Sequence, residues 1–250
     1  MGAVRAEFLK VKRSLSWVVV LLLPVALVLV GTVNTVVSGE RPEEGWHTLW
    51  LRSVVLYGLF PLTVGIGVLA SLVWRVEHRG GNWNALMGGP TPALRIVAAK
   101  AAVVSALAAA MQGVMLAAVV LAGKLVFALP GLPPGRYVLI SAVIAAACVP
   151  VAVLQSGLSM LMRSFAAPVA MAFLGAAGAI VLLMLGAGAA ASALPYALVG
   201  RATQLGTGTF ADTGALTLGG AASIAGAAAL LTGVLIAASA LLLDRTDARA

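Results

Sequence analysis

Of the 250 residues, 62 % are hydrophobic and only 10 % are charged, where a soluble domain carries about 25 % charged residues; the composition excludes an ordinary soluble enzyme and demands a lipid environment. The formal net charge of +8 is dispersed among short loops instead of gathered in a block, so it is read as a topology signal and no nucleic-acid partner is expected.

The chain opens with MGAVRAEFLKVKRSLS. Val4, Phe8, Val11 and Leu15 recur at helical spacing while Arg5, Lys12 and Ser16 face elsewhere. This predicts a helix over 1–16 lying in the membrane interface, apolar face in the lipid and cations among the headgroups. It is either a topological anchor or a support for a cytoplasmic partner. No small-residue cleavage site follows the first apolar run, so that run is read as a retained span.

A crossing helix needs about 20 apolar residues, and charge-free stretches of that length place spans at about 17–37, 53–74, 101–123, 137–162, 167–190 and 217–243. The interval from Arg163 to Arg201 is too long for one crossing. Leu194 to Gly200, opened by Pro195, is therefore assigned as a short re-entrant or surface helix before span six. The expected fold is an all-α polytopic membrane protein of one transmembrane domain, 1–250: six transmembrane helices, an N-terminal amphipathic interfacial helix and that short extra helix.

Orientation follows from the basic residues. Eleven of the sixteen Lys and Arg fall in the N-terminus, the 75–100 loop, the turn at Arg163 and the C-terminus, and positive loops are retained on the cytoplasmic side. Both termini are expected in the cytoplasm, with Glu40, Glu43 and Glu44 outside.

No ionisable residue is expected in the middle of a span, which argues against a proton-driven carrier. The two histidines, His47 and His78, fall in loops on opposite sides and cannot share a metal. Cys148 is assigned to packing. Three G-x-G-x-x-A stretches, beginning at Gly65, Gly186 and Gly206, lack the strand-then-helix setting of a dinucleotide turn. Asn34, Gln112 and Gln155 are polar groups near membrane depth that either line a translocation path or bond neighbouring helices. Small residues four apart, such as Gly175 and Ala179 or Gly233 and Ala237, permit close helix approach.

The longest polar passage is WRVEHRGGNWNALMGGPTPALRIVAAK, residues 74–100. Asn82 to Met87 can form one or two helical turns, with Trp83, Leu86 and Met87 on one side, before Gly88-Gly89-Pro90 ends them. The result is an apolar-faced knob, which either enters a partner's groove or dips into the headgroups. Glu77 at its base is a natural mate for a basic residue.

Glutamate, short helix, proline-containing break and then Lys100 together resemble the pattern of ABC-2-type transporter permeases. The six-span layout, the basic amphipathic N-terminus, SMLMRSFAAP at 159–168 and the helix before span six extend the resemblance over most of the chain. Small size and the lack of a large external domain are similar to permeases of lantibiotic immunity and bacitracin resistance. The resemblance implies a permease subunit in a bacterial plasma membrane that exports an amphipathic peptide, drug or lipid. It implies a separate ABC ATPase subunit and a second permease, in a homodimer or a heterodimer, with membrane lipid around them. No cofactor is expected on this chain; ATP and Mg belong to the ATPase. The 75–100 loop would be the coupling element, with Trp83, Asn84, Leu86 and Met87 forming the docking knob, Glu77 bracing its base, and Phe8, Lys12 and Arg13 nearby. A non-transporting membrane anchor or regulatory subunit of a cytoplasmic enzyme or sensor is the alternative; a lipid-modifying enzyme would need a polar catalytic cluster that the sequence does not offer.

Overall fold

The computed structural model describes residues 3–12, 14–39, 42, 44–79, 82–187, 191–208 and 214–247, apart from the side chains of Asn84, Ala85, Met87, Thr246 and Asp247. Every regular element among them is helical: α1 (Ala3–Val11), α2 (Ser16–Val37), α3 (Trp46–Leu59), α4 (Pro61–Arg75), α5 (Asn82–Met87), α6 (Ala93–Leu125), α7 (Gly135–Leu161), α8 (Ala166–Met184), α9 (Pro195–Gln204) and α10 (Leu218–Asp247). Helices dominate because a segment in lipid has no water to satisfy its backbone N–H and C=O groups and must bond them internally.

Five helices, α2, α6, α7, α8 and α10, are each long and apolar enough to cross a membrane. The expected single span at 53–74 is instead a bent helix pair that begins earlier, at Trp46, with α3 and α4 meeting at 51°; together the two are long and apolar enough for one broken span or a re-entrant loop. Pro61 is the cause: it lacks the N–H that would continue the helical ladder and so starts α4 at its first position. Span five is shorter than its expected 167–190, ending as a helix at Met184; positions 188–190 lie outside the described residues. Helix α6 has 33 residues, about 50 Å at 1.5 Å per residue, which exceeds a hydrocarbon core of roughly 30 Å. Its start, which carries Arg95 and Lys100 ahead of the charge-free run, therefore extends past the length that a crossing requires.

Helix α7 is the hub, packed against α4, α6, α9 and α10. The short α9 is packed into the bundle: Leu198, Val199 and Ala202 are buried, and it packs against α3, α7, α8 and α10. Glycines make that insertion possible. A Cβ on Gly58 would strike Thr203 of α9, and one on Gly175 would strike the Tyr196 ring. Gly219 and Gly233, by contrast, meet nothing within 4 Å, so these small residues do not serve packing within the chain.

The two ends of the bundle differ in chemistry. At one end Trp74, Ile96, Val97, Met160 and Leu243 form a separate apolar cluster, which brings the ends of α4, α7 and α10 to the start of α6. At the other, Trp46 Nε1 donates to the Pro130 carbonyl at 3.0 Å, His47 pairs with the Tyr137 hydroxyl at 3.2 Å, and Lys124 lies over the Trp46 ring.

Candidate functional site

Four charged side chains from three separate segments meet at the Trp74 end. Glu7 and Lys10 are three residues apart on α1 and so share one side of it. Glu77 follows the end of α4, and Lys100 lies two turns into α6. Lys10 Nζ donates to Glu7 Oε1 at 2.7 Å and to Glu77 Oε1 at 2.7 Å, while Lys100 Nζ donates to Glu7 Oε2 at 2.8 Å and Glu77 Oε1 at 2.9 Å. The ring closes on itself: each ammonium touches both carboxylates. Lys100 is fully buried and Glu77 is 4 % exposed.

Two carboxylates and two ammoniums cancel in formal charge, which is what makes their burial tolerable, since each isolated ion would lose several kcal/mol of hydration. Lys100 gains further compensation from the Trp74 ring, 4.8 Å from its Nζ. Burial by itself pushes the Glu77 carboxyl up, but the Lys100 charge and the hydrogen bonds from Lys10 and Lys100 outweigh it, leaving Glu77 below its ordinary value of 4.5. Burial likewise works to lower Lys10, yet bonds and attraction from Glu7 and Glu77 raise it above 10.5.

A pH dependence follows. The depressed Glu77 contributes stability that is present above pH 4.5 and is lost as pH falls through its folded-state value; the raised Lys10 contributes stability that is lost only in the alkaline range above 10.5. Hydrogen exchange over residues 3–11, corrected for intrinsic rate, is therefore expected to stay protected down to pH 4.5 and to lose protection in more acidic buffer. Protection that stayed flat through the acid range would show that the quartet does not hold α1.

Below the quartet lies a polar ladder onto α7. Trp74 Nε1 donates to Ser156 Oγ at 2.7 Å and His78 Nε2 donates to the Ser159 carbonyl at 2.8 Å. Trp83 stacks on His78 with ring centroids 5.4 Å apart and tilts against Trp74 at 6.2 Å. Asn82 Nδ2 donates to the Val76 carbonyl at 3.0 Å, tying α5 back to the end of α4. The short helix is thus seated on the bundle and does not stand free. Trp83 and Leu86, expected as exposed faces of a knob, are half-buried against the Trp74 cluster, because an indole beside Trp74 and His78 removes more apolar area from water than an outward one.

The remaining expected positions separate. Phe8 and Lys12 are exposed, on the α1 side of the quartet. Arg13 and the side chains of Asn84 and Met87 lie outside the described residues. Asn34 is exposed and borders a groove of about 500 Å³ between α2 and α3, lined also by Gly31, Arg52, Val55 and Leu59. Gln112 and Gln155 are buried and bridge helices: Gln112 Nε2 donates to Ser141 Oγ at 3.2 Å and Gln155 Nε2 to the Tyr196 hydroxyl at 2.6 Å. The two histidines occupy opposite ends of the bundle, and among the described residues no group of three His, Cys, Asp or Glu is placed to hold a metal ion.

Sequence reasoning missed Glu7, Lys10 and Lys100 as partners of Glu77. A signal existed. Glu7 falls within the apolar stripe Val4, Phe8 and Val11, and Lys100 shares a helix face with Ile96, Val97, Val103 and Val104. A charge on an apolar stripe requires a buried partner.

One family model, described as ABC-2 family transporter protein, matches residues 3–179. That stretch contains all four quartet residues and α5. No curated protein and no solved structure matches the chain.

Proposed function

The chain belongs to the ABC-2 family of transporter proteins and is a membrane permease component of an ABC transporter; from that premise we propose that its 75–100 segment couples it to a separate ATP-hydrolysing subunit. The observation that carries this reading is the quartet. It binds α1, the turn carrying Glu77 and the projecting start of α6 into one unit, and α5 is seated on that unit through Trp83 and Asn82. A push on α5 is then delivered to the ends of α4, α6 and α7 together.

ATP and Mg act on the partner subunit. Closure of the ATPase pair moves the unit and switches the pathway between inward-facing and outward-facing states. Positive-residue bias supports placing this end, and both termini, in the cytoplasm of a bacterial plasma membrane. A second permease, identical or different, completes the pathway. The largely apolar groove bordered by Asn34 and Arg52 supports an amphipathic cargo, a peptide, drug or lipid, moved out of the cytoplasm or the membrane.

The test is a mild-detergent pull-down of the tagged chain with mass spectrometry of what copurifies. A stoichiometric ATPase is expected. Trp83→Ala is expected to leave membrane insertion intact while weakening ATPase association by about 2 kcal/mol, roughly thirtyfold, and abolishing cargo-stimulated ATP hydrolysis. An intact membrane complex with another enzyme or sensor and no ATPase would replace this reading with that of an anchoring subunit.

A further inference from the structure

A cleft of about 250 Å³ opens at the quartet end of the bundle, between the ends of α4 and α7 and the start of α8. Three guanidinium-bearing residues line it, Arg75, Arg79 and Arg163, together with His78. Its floor is hydroxylic: Ser71 and Ser159 are buried, with their oxygens 3.4 Å apart. No lining residue carries a carboxylate. The nearby Glu7 and Glu77 are already saturated by Lys10 and Lys100, and among the described residues no carboxylate pairs with the three arginines.

A cavity that gathers three cations and hydroxyl groups without a counter-charge suits a compact, multiply accepting anion. Planar guanidiniums match phosphate oxygens in bidentate fashion, and hydroxyls donate to the same oxygens. Topological bias does not require this arrangement, since it counts positive residues along a loop and is indifferent to whether they converge. The depth of the cleft also matters. It lies where α4 and α7 end and α8 begins, and its wall carries an exposed apolar side chain, Phe165, beneath Arg75 at 5.7 Å. Cations above apolar surface at the end of a span are the setting of a phospholipid headgroup and the start of its acyl chains.

We propose that the cleft lined by Arg75, Arg79 and Arg163 is a binding site for a phosphate-type anion, supplied by the headgroup of an anionic lipid. Such a lipid would brace the end of the α4–α8 contact, which the quartet does not reach. The site is independent of the ATPase-coupling reading, and its test contains no ATPase.

The experiment is native mass spectrometry of the full chain in detergent, titrated with dioleoylphosphatidylglycerol, with dioleoylphosphatidylcholine and with inorganic phosphate. Phosphatidylglycerol is expected to be retained over phosphatidylcholine. Arg75→Gln combined with Arg163→Gln is expected to weaken that binding by about tenfold or more. Ser164→Asp, which places a carboxylate at the cleft wall without removing an arginine, is expected to weaken it too. The control pair Arg95→Gln and Arg245→Gln removes the same charge from positions at the same end that are exposed like the cleft arginines but do not line the cleft, and is expected to leave binding unchanged. Inorganic phosphate binding that shows the same dependence on variant, without phosphatidylglycerol binding, would keep the anion site and assign it a soluble ligand. Equal losses in the two double variants, or no loss in either, would overturn the site, because general positive charge would then account for the binding.

Discussion

Lys100→Met is expected to cost about 3–5 kcal/mol of stability, the range found when one member of a buried ion pair is removed and its partner is left uncompensated. The ammonium is fully buried and holds Glu7 Oε2 at 2.8 Å and Glu77 Oε1 at 2.9 Å. Without it the cluster carries a net negative charge, Glu7 Oε2 loses its partner, and Lys10 alone must serve two carboxylates. The decisive companion is the double variant Glu77→Gln with Lys100→Met. It removes one charge of each sign, and because a buried pair often contributes little net stability, much of the loss is expected to be recovered. Unfolding in mixed micelles, arranged as a double-mutant cycle, measures this. A single variant as stable as the parent would show that the quartet is not a closed unit. Glu77→Gln alone is expected to disturb folding as well as coupling, since Glu77 is an interior group and not an outward handle for a partner.

The second large effect is expected at Gly175→Ala. The Tyr196 ring of α9 lies against Gly175 of α8, in the place a Cβ would occupy, while the Tyr196 hydroxyl accepts from Gln155 Nε2 of α7 at 2.6 Å. One methyl group must therefore displace the ring. Overpacking of this kind costs about 1–3 kcal/mol, and losing the hydrogen bond adds about 1 kcal/mol. If the cause is the ring, the same substitution in a Tyr196→Ala background is expected to cost much less. An equal cost in both backgrounds would place the fault in the α8 backbone and leave α9 out of it.

The spans were legible because each is a local property. An apolar run bounded by charges is long enough to cross or it is not, and the helices α2, α7 and α10 cover nearly the same residues as the apolar runs, whereas α6 starts eight residues before its run, at Ala93. The bent α3–α4 pair was only half legible: Pro61 marks where α4 starts, but Trp46 to Arg52 carry His47 and Arg52 and read as loop. Their burial of Trp46, Leu49 and Trp50 depends on α6, α7 and α9 being there to cover them. The same holds for α5. Its helical turns could be read from Asn82 to Met87, whereas the direction in which Trp83 points was set by Trp74 and His78.

The sequence by itself therefore determined a membrane-embedded, all-helical chain, its bias of positive charge and its family pattern, since these rest on composition, period and order along the chain. The tertiary structure alone decided which charges meet. Glu7 and Lys100 are 93 residues apart, and each is a conspicuous misfit on an apolar helix face until the other is placed beside it. A buried charge is tolerated only when its counter-charge lies within hydrogen-bonding reach, and that distance is fixed by how α1, α4 and α6 pack.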